Sequence, residues 1–395
     1  MQLGRLRMSA DGHTVDYGHA AEGFPDVHVT VHDERFYSSV AFGGSVGAGE
    51  SYMNGWWSTD DLLGVIRLFV INEDALAGID SGWAKLAAPL YRLGRFFSRN
   101  TRRGSKRNIA AHYDLSNDFF SLWLDPSMMY SAAIFERETM TLEEAQASRL
   151  GVICDRLRLS REDHLLEIGT GWGGLAITAA RDFGCKVTTT TISREQAAYA
   201  RAAVARAGLT DRVSVVEHDY RELPRVYGEG TFSKLVSVEM IEAVGADHLG
   251  EYASICSRML RRDGLALIQA ILIGDHRYAD ALRTPDFIQK HIFPGSFIPS
   301  MAAIMGACGK HTDLTLADFQ SFGDGYARTL REWRSRFHAK LPEVRALGFD
   351  ERFIRMWEYY LCYCEGGFAE RRITVGHLLL RKPGERGPLP IRVGP

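Results

Sequence analysis

From about residue 108 onward, two apolar patterns alternate along the chain. HLLEIGT (164–170), CKVTTTTI (185–192), RVSVVEH (212–218), FSKLVSVEM (232–240) and LALIQAILI (265–273) are short runs with the length and β-branched content of strands. Between them, AQASRLGVICDRLRL, AITAARDF, REQAAYARAAVARAG and HLGEYASICSRML repeat apolar residues every three or four positions, which predicts helices. Strand–helix alternation at this spacing predicts an α/β architecture built on a parallel, doubly wound sheet.

The first 75 residues follow another rhythm. VHVTVHDERFYSSVAFGG alternates and carries β-branched residues, which suggests strands, and Ser58-Thr59-Asp60-Asp61 ahead of LLGVIRLF resembles a helix start with acids in its first turn. A small α+β domain is predicted over residues 1–80, a connecting segment over 81–107 and the α/β domain over 108–382. Residues 383–395 form a Pro/Gly-rich tail, GERGPLPIRVGP at its core, that is expected to fray.

Composition narrows the class. A chain of 395 residues with 46% hydrophobic and 24% charged residues has ample core for two domains and the make-up of a soluble globular protein. A pI near 6.7 supplies no overall basic field, so nucleic acid is not an expected partner. The six cysteines are scattered apart from Cys362 and Cys364, which fits reduced thiols in the cytoplasm better than a disulfide framework or a zinc site. No apolar run approaches the roughly 18 residues of a spanning helix, and the N-terminus lacks the apolar core of a signal peptide.

The near-neutral total conceals one local exception. From Ser81 to Tyr113 there is no acid, while Lys85, Arg92, Arg95, Arg99, Arg102, Arg103, Lys106 and Arg107 are basic. Leu86, Leu90, Leu93, Phe96 and Phe97 recur at helical spacing, on a helix expected to begin near Pro89. Such a segment either lies on anionic lipid or links two domains with its charges in water.

The sharpest chemical signal is Glu167-Ile168-Gly169-Thr170-Gly171-Trp172-Gly173-Gly174, where a strand turns through glycines into a helix. Glycines let a ligand approach the backbone, and the helix start offers free N–H groups. The turn suits NAD, a nucleotide or S-adenosylmethionine, and Gly169, Gly171 and Gly174 match the dinucleotide spacing too. The leading acid and the position on the first of five strands favour S-adenosylmethionine. The second strand ends Thr189-Thr190-Thr191, with no acid to bond a ribose, which removes the best support for NAD. Thr191 and Gln196 are polar alternatives there, and Asp219-Tyr220 stand where an adenine amine and ring would be held. Trp172 either packs its helix on the sheet or touches the cofactor. Glu242 either caps the following helix or does chemistry. Cys362 and Cys364 lie in an aromatic helix and read as buried thiols, and His13, His19, His28 and His32 follow strand alternation rather than metal-ligand spacing.

HYDLSNDFFSLWLDPSMMYSAAIFE, LLEIGTGWGG, TTTISREQ, SVEMIEAVG, DFIQKHIFPG and YLCYCEGGF together resemble the cyclopropane fatty acid synthases, from about residue 24 to 382. The resemblance implies a class I methyltransferase fold with an added lipid-facing domain and S-adenosylmethionine as methyl donor. It further implies unsaturated phospholipid acyl chains as substrate, an anionic membrane surface as partner, a homodimer, and a peripheral position on the inner face of the membrane. IFPGSFIPS (292–300) would then be a loop at the mouth of an acyl channel.

Such chemistry has definite requirements. A cis double bond is a weak nucleophile and must be held in line with the sulfonium methyl. The carbocation that follows must be shielded from water, stabilised by aromatic faces and relieved of a proton by a base. In the family a bicarbonate ion serves as that base, held by a Cys, a Glu, a His and a Tyr, with a backbone contact from an Ile. The Glu corresponds to Glu242, the Ile to Ile271 and the Tyr to Tyr326. Two positions depart: Ala132 stands for the Cys and Gln269 for the His. Gln269 keeps an amide donor but does not titrate, so bicarbonate binding is in doubt, and the product is open between a cyclopropane and a methyl-branched or methylated unsaturated chain. The expected catalytic set is Glu242, Gln269, Ile271 and Tyr326. The expected cofactor set is Glu167, Gly169, Gly171, Trp172, Gly173, Thr191, Gln196, Asp219 and Tyr220, with Tyr130 and Ser131 at the methionine end and no metal. A small-molecule methyltransferase on the same fold and a non-catalytic lipid-binding module are the rival readings.

Overall fold

The structure, a computed structural model, describes residues 1–73 and 116–388. The basic segment and its helix near Pro89 lie outside the described residues, as do the last residues of the tail. The chain forms two compact units, Met1–Ser98 with Asp280–Pro294 and Tyr326–Ile373, and Arg99–Ala279 with Gly295–Gly325 and Thr374–Pro395. Both are discontinuous in sequence, whereas the sequence reading divides the chain contiguously.

In the first unit, β1 (Arg5–Ala10) and β2 (His13–Gly18) form an antiparallel hairpin through Asp11-Gly12. Both turn residues have positive φ, 49° and 76°, the geometry that matches a two-residue hairpin to strand twist. β3 (Asp26–Val31) pairs parallel with β1, and β4 (Trp57–Thr59) closes the order β2-β1-β3-β4. Val27, Val29 and Val31 alternate inward from β3. His28 bonds Ser9 and His32 bonds Ser58. The strands expected across RFYSSVAFGG are instead the start of α1 (Arg35–Met53), which breaks at Gly44, φ 53°. Phe36 and Val40 fall four apart on one helical face, and the alternation seen in sequence comes from exposed Tyr37 and Phe42. α2 (Leu62–Ile71) starts where expected, with the Asp61 carboxylate accepting the Gly64 N–H. The later helix Glu351–Ala369 approaches α2 closely, since a Cβ on Gly366 would lie 2.7 Å from Ile66 Cγ2.

The second unit carries a seven-stranded mixed sheet in the order β10-β11-β9-β8-β5-β6-β7. The five predicted strands are β5 (His164–Ile168), β6 (Lys186–Thr190), β7 (Val213–Val216), β8 (Phe232–Val238) and β9 (Leu260–Ile273). They pair in parallel. β10 (Thr315–Ser321) and β11 (Ile373–Arg381) add an antiparallel pair that the sequence reading missed. Leu165, Val187, Val236, Leu265 and Leu267 on the sheet bury against Leu150, Ile153, Leu175 and Ala179 on the helices. The order reverses at β5: the chain runs out through β6 and β7, then returns to β8 on the other side. Such a switch point opens a crevice at the strands' C-terminal ends, where doubly wound folds bind ligands. The part of the tail expected to fray is bonded as far as Pro388: Gly384 N–H donates to Arg262, while Arg158 holds the Glu385 carboxylate and the Pro388 carbonyl. Among the described residues no helix is long and apolar enough to cross a membrane.

Candidate active site

At the switch point the chain leaves β5 through a turn in which Gly169, Gly171 and Gly173 all have positive φ, at 103°, 50° and 93°. Their reasons differ. A Cβ on Gly173 would sit 3.2 Å from Ala200 Cβ, so this glycine also lets a helix approach. A Cβ on Gly171 would meet nothing within 4 Å, so the space in front of it is open. The Gly169 and Thr170 N–H groups donate to the Thr190 carbonyl at 3.0 and 3.1 Å, tying the turn to the end of β6. Gly173 then caps the nine-residue helix Gly174–Asp182, whose first N–H groups lack an intrahelical acceptor. Glu167 is buried beside this turn, with Oε2 lacking a hydrogen-bond partner among the described residues. Burial pushes its carboxyl up to about 8, against the Thr189 hydroxyl and the Arg149 charge. A cradle with room above its backbone and an unused buried acceptor fits a nucleoside-bearing group such as S-adenosylmethionine.

The other expected cofactor residues arrive with company. The Thr191 hydroxyl donates to Gln196 Oε1 at 3.0 Å, with both side chains buried where β6 ends. Asp219 is gripped by Arg221 and caps its own short turn. Tyr220 meets Tyr252 edge-on at 5.6 Å, and the Arg221 guanidinium lies over the Tyr220 ring. Trp172 packs, with Nε1 donating to Asn117 at 2.7 Å and its ring 5.2 Å from Phe120. Tyr130 joins the same aromatic cluster through Phe120 and Trp123. The Ser131 carbonyl accepts from Gln146 at 2.9 Å.

The expected catalytic residues of the second unit lie across the ends of β8 and β9. Glu242 caps no helix. Its Oε1 accepts the Ile271 N–H at 2.6 Å, so two residues of the expected set bond each other directly. Its Oε2 is buried without a partner among the described residues. Burial and the nearby charge of Glu239 push the Glu242 carboxyl up to about 8.

Glu239 itself is the residue that sequence reasoning missed, although it stands inside the quoted SVEMIEAVG. Its Oε1 accepts the Ala132 N–H at 2.9 Å and the Gln269 side-chain amide at 2.7 Å. Behind it, fully buried Gln269 presents Oε1 to His377 Nε2 at 2.9 Å and to Arg149 at 3.5 Å, and Arg149 also donates to Gln146. Two glutamates three apart at a strand end were a usable signal, whereas Arg149 and His377 had none, being brought in by a helix and a late strand. The glycine turn joins this cluster at Met240, whose Cγ would lie 3.3 Å from a Cβ on Gly169. One end of the sheet therefore gathers residues 130–132, the glycine turn, the 239–242 turn and residues 269–271.

Tyr326 belongs to the first unit, where it is buried against Phe368 at 4.4 Å and Trp333 at 6.1 Å. The loop that follows Pro294 reaches the site, as the Phe297 N–H donates to the Glu242 carbonyl at 3.0 Å. Cys362 is buried, and burial raises its thiol pKa.

The family described as mycolic acid cyclopropane synthetase matches residues 100–378. Tuberculostearic acid methyltransferase UfaA1 of Mycobacterium tuberculosis is 39% identical over 348 residues, covering 86% of this chain and 80% of that protein. Cyclopropane-fatty-acyl-phospholipid synthase of Escherichia coli K12 is 34% identical over 373 residues, covering 94% and 92%. Among solved structures, mycolic acid cyclopropane synthase CmaA1 complexed with SAH and CTAB superposes with a TM-score of 0.64 at 29% identity, covering 70% of this chain and 98% of that one.

Proposed function

This chain belongs to the mycolic acid cyclopropane synthetase family, and from that premise we propose that it adds one carbon to the cis double bond of unsaturated acyl chains in membrane phospholipids. It is a lipid methyltransferase dependent on S-adenosylmethionine, which when bound supplies an electrophilic sulfonium methyl. The residues that would hold the donor are those of the glycine turn with Glu167, Thr191, Gln196 and Asp219, backed by Tyr130 and Ser131. One observation carries the reading. The glycine turn lies close to Met240, whose Cγ would be 3.3 Å from a Cβ on Gly169, and Glu239 and Glu242 belong to the same short turn as that residue. A negative Glu239 so placed favours positive charge developing on a lipid carbon beside the donor, and a carboxylate is competent to take a proton from it.

Ring closure to a cyclopropane is the first product reading. A methyl-branched or methylated unsaturated chain is the second, and a specific observation favours it. Ala132 and Gln269 replace the Cys and His expected of a cyclopropane-forming site, and the relative at 39% identity is named a tuberculostearic acid methyltransferase. The acid-free run from Ser81 to Tyr113 supports peripheral docking on anionic lipid from the cytoplasmic side.

The test is incorporation of label from methyl-labelled S-adenosylmethionine into anionic vesicles containing oleoyl or vaccenoyl chains, followed by mass spectrometry of the lipids. A gain of one CH2 is expected. A product of that mass that survives mild hydrogenation is a ring, and one that takes up hydrogen retains a double bond; a saturated methyl branch would instead show a gain of CH4 and require an added hydride donor. Absence of labelled lipid from folded protein overturns the reading. Label in a water-soluble acceptor, indifferent to vesicles, would make the protein a small-molecule methyltransferase.

A further inference from the structure

We propose that Glu239 is the group that accepts the proton in this reaction, so that the chain works with its own carboxylate rather than with a bound bicarbonate. The inference rests on the lipid-alkylation reading above and concerns how that site finishes its reaction.

Three of the positions expected to hold bicarbonate, Ala132, Gln269 and Ile271, give their donors to the chain's own carboxyl groups. The position of the Cys is Ala132, whose only donor is its backbone N–H, and that group donates to Glu239 Oε1 at 2.9 Å. At the position of the His, Gln269 gives its side-chain amide to the same oxygen at 2.7 Å. The Ile271 N–H donates to Glu242 Oε1 at 2.6 Å. A bicarbonate brought here would be an additional anion beside the charged Glu239, at a place where the Ala132, Gln269 and Ile271 donors are already engaged, and its charge would be repelled. These three positions leave no donor for that ion.

They do fit a fixed carboxylate. Gln269 has its Oε1 set by Arg149 Nη1, which can only donate, with His377 Nε2 paired to the same oxygen, and its nitrogen therefore faces Glu239. Glu239 adopts φ 47°, a left-handed conformation that non-glycine side chains rarely take, and its own N–H donates to the Gln269 carbonyl at 2.8 Å. Backbone strain at one carboxylate, anchored at both its main chain and its side chain by the same residue, is the mark of a positioned group. The neighbouring carboxyls divide the work. Glu242, raised by burial and by Glu239, keeps its proton near neutral pH, while two N–H donors favour Glu239 as the anion.

A carboxylate is a sufficient base here, because a C–H bond next to a carbocation is strongly acidic. The step balances with no further reagent. The C–H bond breaks, its electron pair closes the ring or forms a carbon–carbon double bond, and the proton passes to Glu239, which later yields it to water.

The experiment uses the full chain, labelled S-adenosylmethionine and unsaturated phospholipid vesicles, in buffer either freed of carbon dioxide and bicarbonate or supplemented with bicarbonate. Wild-type lipid labelling is expected to be the same in both buffers. Glu239→Gln is expected to lower kcat by about 100-fold or more while the Kd for S-adenosylmethionine stays within about threefold. Glu239→Gly is expected to regain part of the lost rate when formate or bicarbonate is added, a rescue that a purely structural role would not show. Wild-type labelling that is lost in the bicarbonate-free buffer and restored by bicarbonate, or a Glu239→Gln chain that turns over normally, overturns the proposal and leaves the lipid-alkylation reading standing. No labelled lipid from the wild type in either buffer overturns that reading and this inference with it.

Discussion

Arg221 holds Asp219 by both carboxylate oxygens, with Nε 2.8 Å from Oδ1 and Nη2 2.6 Å from Oδ2, and both side chains are nearly out of water. A bidentate pair of this kind fixes a carboxylate in direction as well as in charge. If Asp219 meets the adenine amine with a remaining lone pair, Arg221 sets the angle at which it does so. Asp219→Asn and Arg221→Met are each expected to weaken S-adenosylmethionine binding by about tenfold, measured by calorimetry. Unchanged affinity in Arg221→Met would reduce the pair to a cap on its own turn.

Gly171 and Gly173 separate a ligand-facing glycine from a packing one. Both have positive φ, so alanine at either is strained by about 1–2 kcal/mol. At Gly171 the new methyl meets no protein atom within 4 Å, so Gly171→Ala is expected to cost little stability beyond that strain. If the donor occupies the open space, its affinity should fall by about tenfold or more. At Gly173 the methyl approaches Ala200 Cβ to 3.2 Å, so Gly173→Ala adds overpacking and a larger drop in melting temperature. Urea titrations with and without S-adenosylmethionine distinguish the two.

Two buried carboxyls make stability depend on pH. Glu167 and Glu242 rise from 4.5 to about 8 on folding, mainly through burial. Between those values the native chain holds protons that the unfolded chain has lost. The stabilisation is complete below pH 4.5 and is lost as the pH rises through about 8. Each group contributes a slope of at most roughly 1.4 kcal/mol per pH unit inside that window. Denaturation midpoints taken from about pH 5 to about pH 9 should therefore fall with pH, and Glu167→Gln or Glu242→Gln should each flatten the decline. A slope unaltered in both variants would assign the effect to other groups.

The parallel half of the sheet was legible because its strands are short and rich in buried aliphatic residues, such as Leu165, Leu235 and Leu267, and alternate with helical patterns. β10 was not, since TLADFQS alternates weakly and none of its residues is fully buried. β11 follows directly on a long aromatic helix, and its run ITVGHLLLR carries no turn signal before it. In the site, the glycine turn and Glu242 were readable from spacing and resemblance. The partners of Gln269 were not, because His377 reaches it from 108 positions away and Arg149 from 120. Contacts between such distant positions come from sheet order and leave no local pattern.

Glu242 offers the cleanest separation of roles at this site. A base must be charged, whereas a carboxyl raised to about 8 is neutral at pH 7 and resembles an amide in shape and hydrogen bonding. Glu242→Gln keeps an oxygen able to accept the Ile271 N–H, so turnover at neutral pH should remain within about tenfold of wild type. Glu242→Asp keeps the acid but shortens the reach to that N–H. It should lose more activity than the amide variant, with Glu242→Ala lowest of the three. If Glu242 itself removed the proton, the order would invert, with aspartate active and glutamine dead. Initial rates of lipid labelling for the three variants, with calorimetric affinities for S-adenosylmethionine as control, decide between the two orders.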